Sequence, residues 1–257
     1  MWVDIDSNNR LMWRLTPWDK RAFGINTSEL LDIQYTNKLD ELFTVVDQYN
    51  QEHNIKLSFF RHDANDRLLK KHAIERGFQL TECTLTAVHN NISKVPKSPL
   101  KLTFSQAQNE HLSDIQTIAG DSFRHGRFHE DPFVPLGLAQ LRYEYWIKDL
   151  LTASNMYIFH IKDRVGGFFT YNIKDDYIEM PISGLSQDAL RLGGFLWSSM
   201  IHFIHEKEHI SKMKNVISAA NVDVLNLYTK LGFNITYPVF GYHKYYSSEG
   251  EIPWNKN

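Results

Sequence analysis

Apolar positions along the chain repeat at two periods. Trp197, Met200, Ile201 and Ile204 recur at helical spacing and predict a helix over 195–206; the stretch 39–49 has the same one-sided pattern. Further helices are expected over 64–76, 112–122, 138–151 and 222–230. Short runs rich in β-branched and aromatic residues predict strands over 56–60, 79–88, 100–104, 156–161, 165–173, 177–183, 214–218 and 233–237. The turns Lys162-Asp163-Arg164 and Lys174-Asp175-Asp176 separate three of these strands, which therefore read as an antiparallel meander. Residues 90–99, rich in Asn, Ser, Lys and Pro, have no sustained apolar period and read as a linker. They divide the chain into 1–95 and 96–257.

The two parts echo one another. Ala64-Asn65, a helix and Gly77-Phe78 parallel Ala220-Asn221, a helix and Gly232-Phe233, with a spacing that differs by one residue. In each, the Gly can close the helix in a left-handed conformation and the Phe can start the next strand inside the core. A duplicated fold whose first copy has lost its chemistry is the expectation.

Composition narrows the class. With 42% hydrophobic and 13% aromatic residues the chain can fill a core, and a formal charge of −2 provides no global field for nucleic acid or a membrane surface. Cys83 is the single cysteine, so neither an intrachain disulfide nor a cysteine zinc site can form, and no metal site is expected. The densest apolar run, 195–204, is shorter than the ~20 residues that span a bilayer. A cytoplasmic location is the expectation.

The most specific pattern lies near the C-terminus. Asn221 opens a helix, Tyr228 follows seven residues later, and Leu231-Gly232-Phe233 ends the unit. Ahead of it, Leu190-Arg191-Leu192-Gly193-Gly194 stands between the third meander strand and a helix, where backbone N–H groups and the helix dipole favour an anion. In the strand Tyr177–Leu185, Pro181 and Gly184 interrupt regular pairing. Together these segments resemble the GNAT superfamily of acyl-CoA N-acyltransferases, although here the two glycines are adjacent rather than alternating. The resemblance implies an α+β GNAT fold, a mixed and largely antiparallel sheet flanked by helices, with a degenerate GNAT-like N-terminal half. It also implies acyl-coenzyme A as co-substrate. Its diphosphate would lie at Leu190, Arg191, Leu192, Gly193 and Gly194, and its pantetheine arm along Ser183, Gly184 and Leu185, with Asn221 and Asn226 nearby. Attack of an amine on a thioester expels a thiolate of pKa near ~8.5, and a phenol, protonated at neutral pH, can donate to it. Tyr228 is the expected acid and Glu179 a candidate proton acceptor.

Within that superfamily the chain resembles the bacterial acyltransferases of nucleotide-linked amino sugars, the TDP-fucosamine acetyltransferase type. The segments concerned are Trp18-Asp19…Phe23-Gly24, Arg61-x-Asp63-x-x-Asp66 with Gly77-Phe78, and 123–132 followed by Tyr143-x-Tyr145-Trp146. Arg124 and Arg127 can fork onto phosphates, Tyr143 and Trp146 offer stacking surface, and His125 or His129 can take a proton. The acceptor implied is a dTDP-linked aminodeoxy sugar for surface polysaccharide. A peptide N-terminus, a polyamine, an antibiotic, or a silent ligand-binding module stay open, as does a homodimer.

Overall fold

The computed structural model describes residues 1–153, 155–246 and 252–254. In chain order the elements are β1 (Trp2–Asp6), β2 (Asn9–Leu15), α1 (Pro17–Phe23), β3 (Thr27–Gln34), α2 (Leu39–Glu52), β4 (Leu57–Asp63), α3 (Arg67–Glu75) and β5 (Gln79–His89). There follow β6 (Phe104–Gln106), α4 (Leu112–Ser122), α5 (Leu136–Ala153), β7 (Asn155–Ile161), β8 (Arg164–Lys174), β9 (Tyr177–Glu179) and β10 (Ser183–Leu185). The order closes with α6 (Gly193–Glu208), β11 (Met213–Ser218), α7 (Val222–Lys230) and β12 (Asn234–Tyr245). No helix among the described residues is long and apolar enough to cross a membrane.

Contacts group the chain into two compact units, and these are not two consecutive stretches. Unit 1 combines Met1–Thr84, Gly126–Arg142 and the described residues from Tyr237 onward; unit 2 combines Leu85–His125 and Tyr143–Thr236. The expected linker is not one. Ile92 and Val95 are buried in the core of unit 2, where the ring of His202 donates to the Val95 carbonyl and the Ser198 hydroxyl to that of Pro96. Two apolar residues among polar ones were enough to anchor a segment that composition alone made look free.

In unit 1 the strand order is β1-β2-β3-β4-β12-β5. The face of α2 that carries Leu39, Leu42, Phe43 and Val46 is buried at helical spacing, and meets Leu11, Trp13, Phe60 and Phe78 in one core. Strands β3 and β4 pair in parallel over Thr27–Leu30 and Leu57–Phe60. The first 34 residues, for which the sequence suggested no elements, supply three strands and a short helix.

In unit 2 the order is β5-β11-β9-β8-β7-β6, with β10 paired to β8 alone. Alternation along β7 sends Tyr157 and Phe159 into a core with Leu196, Trp197 and Ile201 of α6, and Met156 and Ile158 into a second core with Ile115 and Ile118 of α4. Helices therefore cover both faces, which is why Val165–Tyr171 of β8 is buried without a break. The expected strand over 100–104 is realised only from Phe104, as β6.

Candidate functional site

The predicted strand over 177–183 is two strands separated by a bulge. Glu179 pairs with Asn172 and Ser183 with Phe169, so Met180, Pro181 and Ile182 lie opposite only Thr170 and Tyr171. Pro181 brings no N–H to the ladder, which fits an interruption there. On the other side, β9 and β11 run parallel and pair at Ile178 and Met213, whereas β10 pairs with β8 and not with β11. Two parallel strands joined at the base thus part above it.

Asn215 stands at that parting, on β11 and 2% exposed. Its Oδ1 accepts the Met180 N–H, which the bulge leaves free, at 2.7 Å, and its Nδ2 donates to the Tyr228 hydroxyl at 2.9 Å. The Trp197 indole N–H donates to the same hydroxyl at 3.3 Å. Tyr228 is buried, its ring edge-on to Phe233 at 4.7 Å. Burial pushes its phenol up to about 12, against the opposing effect of the two donors. Nothing in the local sequence marks Asn215; the partner of its Oδ1 is an N–H that only the bulge leaves free.

The glycines take a form the sequence did not suggest. Leu190–Leu192 make a single 3-10 turn, and Gly193 and Gly194 are already the first turn of α6. Neither has a positive φ, and a Cβ on either would meet nothing nearer than Leu185 at 3.7 Å or Leu227 at 3.8 Å. The fold therefore does not require glycine at either position. The residue before them, Leu192, cannot cap the helix with its side chain; the Gly193 N–H donates to the Leu190 carbonyl of the 3-10 turn, and among the described residues no side chain is seen to cap this end of α6. Leu190, Arg191 and Leu192 are exposed around it.

Other expected donor-site residues divide by role. Asn221 caps α7, its side chain accepting the Val224 N–H at 3.3 Å, and Asn226 is exposed on that helix. Ser183 is half-buried on β10. A Cβ at Gly184 would lie 2.9 Å from Phe168 and 3.1 Å from Ile118, and Leu185 is buried, so packing alone accounts for both. Glu179, the last residue of β9, is half-buried beside the bulge.

The expected acceptor residues are not brought together as one set. In unit 2, Phe123 stacks on Tyr143 at 5.1 Å, Tyr143 lies 5.8 Å from Trp146, and the Tyr143 hydroxyl donates to the His125 carbonyl. Arg124 is exposed beside them. Arg127 and His129 belong to unit 1. Arg127 is no open phosphate fork: its guanidinium, over the Phe59 ring at 4.4 Å, pairs with Glu29 at 3.1 Å. His129 sits in a turn in which its N–H donates to the Gly126 carbonyl.

Unit 1 repeats the framework with different contents. The cap that matches Asn221 is Asp66, not Asn65: it accepts the Leu69 N–H at 3.0 Å, and α3 and α7 are both nine residues long. The spacing difference then disappears, since Gly77 and Gly232 each fall eleven residues after the cap, at φ 79° and 88°. In this register Ala73 stands where unit 2 has Tyr228. The neighbouring space is filled by Phe43, Phe60 and Phe78, with ring centroids 5.1–6.1 Å apart. Ahead of α2, the N–H groups of Thr36, Asn37 and Lys38 all donate to Asn9 Oδ1, at 2.9, 3.3 and 3.1 Å.

No family profile and no curated protein matches the chain. Solved structures do. A functionally unknown conserved protein from Staphylococcus epidermidis is 14% identical at a TM-score of 0.67, over 95% of this chain and 94% of that one. A GCN5-related N-acetyltransferase from Sphaerobacter thermophilus is 9% identical at 0.65, over 95% and 82%. A tandem GNAT protein from the clavulanic acid biosynthesis pathway is 9% identical at 0.57, over 85% and 75%. The mixed, largely antiparallel α+β fold is shared with these structures, of which the second is a GCN5-related N-acetyltransferase and the third a tandem GNAT protein.

Proposed function

We propose that unit 2 is an acyl-CoA-dependent N-acyltransferase. The observation that carries this reading is the Tyr228 phenol, held by two donors beside parted parallel strands, in the same unit as a helix whose N-cap residue makes no side-chain cap and which begins with two glycines the fold does not need. Acyl-CoA supplies a thioester. The acceptor amine forms the new C–N bond as the C–S bond breaks, and the electron pair leaves on sulfur. With its phenol at about 12, above a thiol near ~8.5, Tyr228 keeps its proton and stabilises the developing thiolate by donating a hydrogen bond. The proton that finally rests on the thiol comes from the attacking amine, relayed by solvent or Glu179.

The diphosphate would lie over Gly193 and Gly194, which gives the test. Gly193→Ala should keep or slightly raise helix stability, since Gly is ~1 kcal/mol worse than Ala in a helix, yet weaken acyl-CoA binding. Gly193→Glu should weaken it far more, by adding bulk and a negative charge. Calorimetry should give one CoA per chain, because unit 1 has Ala73 where unit 2 has Tyr228 and fills the neighbouring space with Phe43, Phe60 and Phe78. Unchanged CoA affinity in a folded Gly193→Glu variant would place the diphosphate elsewhere.

For the acceptor, the aromatic group Phe123, Tyr143 and Trp146 with exposed Arg124 supports a nucleotide-linked aminodeoxy sugar, the acyl group being acetyl or another short chain. Arg124→Ala should then raise the acceptor Kd by about 10- to 150-fold, the worth of a charge-assisted hydrogen bond. Free TDP should compete with the acceptor and not with CoA. The commitment of Arg127 to Glu29 removes one of the two expected phosphate ligands and favours a second reading, in which the amine belongs to a peptide, polyamine or antibiotic. Thiol release screened across TDP-, UDP- and GDP-linked amino sugars and those amines decides between them.

A further inference from the structure

The orientation of the Asn215 amide is forced. A backbone N–H can only donate, so the atom facing Met180 N at 2.7 Å is the oxygen, and the amide nitrogen must face the phenol. The Trp197 indole N–H can likewise only donate. Two obligate donors therefore converge on the Tyr228 oxygen, and among the described residues no acceptor takes the phenol's own proton. That hydrogen has to point away from both Asn215 and Trp197.

From this we infer that Asn215 is a positioning residue: by reading the Met180 N–H freed by the bulge, it presents its amide nitrogen to the Tyr228 oxygen and leaves the phenol's own proton to be donated outward, to the substrate. The assignment rests on the reading of Tyr228 as the donor to sulfur. It explains why a polar side chain is buried at this point of β11, when unit 1 fills the comparable space with phenylalanine rings. It also ties the bulge to the chemistry, since in a regular ladder the Met180 N–H would be spent on a neighbouring strand.

Asn215→Asp tests it with almost no change of shape. One carboxylate oxygen still accepts the Met180 N–H, while the other now accepts the phenol proton and turns it inward. The substrate-free probe is coenzyme A itself, its bound thiol titrated by thiolate absorbance. In the wild type the phenol donates to the thiolate and lowers the thiol pKa. In Asn215→Asp that pKa should rise by about one to two units, the worth of one hydrogen bond to a charged group. Tyr228→Phe should give a rise of its own, and the double variant no more than Asn215→Asp alone, because in Asn215→Asp the phenol is already turned away from the thiolate. If Tyr228→Phe raises the thiol pKa and Asn215→Asp does not, or if the two effects add, Asn215 does not act through Tyr228. If neither variant moves it although CoA binds, the phenol does not face the sulfur and both ideas fall. Failure of CoA to bind the wild-type chain overturns the acyltransferase reading first, and this inference with it.

Discussion

Tyr228→Phe should lower kcat by roughly 10²–10³, the cost of removing one donor aimed at developing charge. KM for the acyl-CoA should change little, because the phenol interacts with charge that appears only as the C–S bond breaks. The variant should also lose about 1–3 kcal/mol of stability, since Asn215 Nδ2 and Trp197 Nε1 are left buried without their shared acceptor. A melting curve beside the steady-state measurement separates the two effects. The pH profile gives an independent check. An ordinary phenol near ~10 would lose its proton, and the enzyme its activity, as pH rises through that value. A phenol pushed up to about 12 holds its proton through that range, so kcat should show no alkaline fall near ~10 that disappears in the Phe variant. Retention of more than half the wild-type kcat would make Tyr228 a packing residue.

Sequence revealed most where the decisive chemistry is local. The meander turns carry residues that tolerate positive φ, and Lys162, Asp163 and Asp175 adopt it at 49°, 62° and 23°. Helix α7 was legible end to end, because its cap, Asn221, and its terminator, Gly232, act on backbone groups within a turn of themselves. Strand β12, expected over 233–237, runs on to Tyr245, since Gly241, Tyr242 and His243 are held by pairing with β4, about 180 residues earlier. The Trp18-Asp19…Phe23-Gly24 signature has a packing reason: Asp19 is buried and pairs with Arg142, and Gly24 ends α1 at φ 71°. In β2 the sequence does carry a signal, since Leu11 and Trp13 are buried on alternate positions, the period of a half-buried strand. Asn215 had no signal at all. Its role depends on one backbone N–H that only the bulge releases.

Arg127 shows the same limit in its sharpest form, because a guanidinium suited to a diphosphate is equally suited to a carboxylate. The structure assigns it to Glu29, whose side chain is 11% exposed while that of Arg127 is 17% exposed. Burial alone would raise the Glu29 pKa, but the charge of Arg127, with help from Arg14, holds it below the ordinary carboxylate value. Removing one partner of such a pair costs about 3–5 kcal/mol, because it leaves the other charge buried and underpaired. Arg127→Ala should therefore destabilise unit 1 toward the lower end of that range, since the half-exposed Arg14 still reaches Glu29. Arg124→Ala, at an exposed position, should stay within about 0.5 kcal/mol of wild type. The pH dependence has a defined sign. A carboxyl whose folded pKa lies below its unfolded value contributes stability above the unfolded value, near ~4.3, and loses it as pH falls through the folded one. The gap between wild type and Arg127→Ala should accordingly be full at neutral pH and narrow in acid. Urea titrations of Arg127→Ala, Glu29→Gln and the double variant should show coupling between the two sites. If Arg127→Ala instead melts like wild type, the pair with Glu29 contributes nothing to the stability of unit 1.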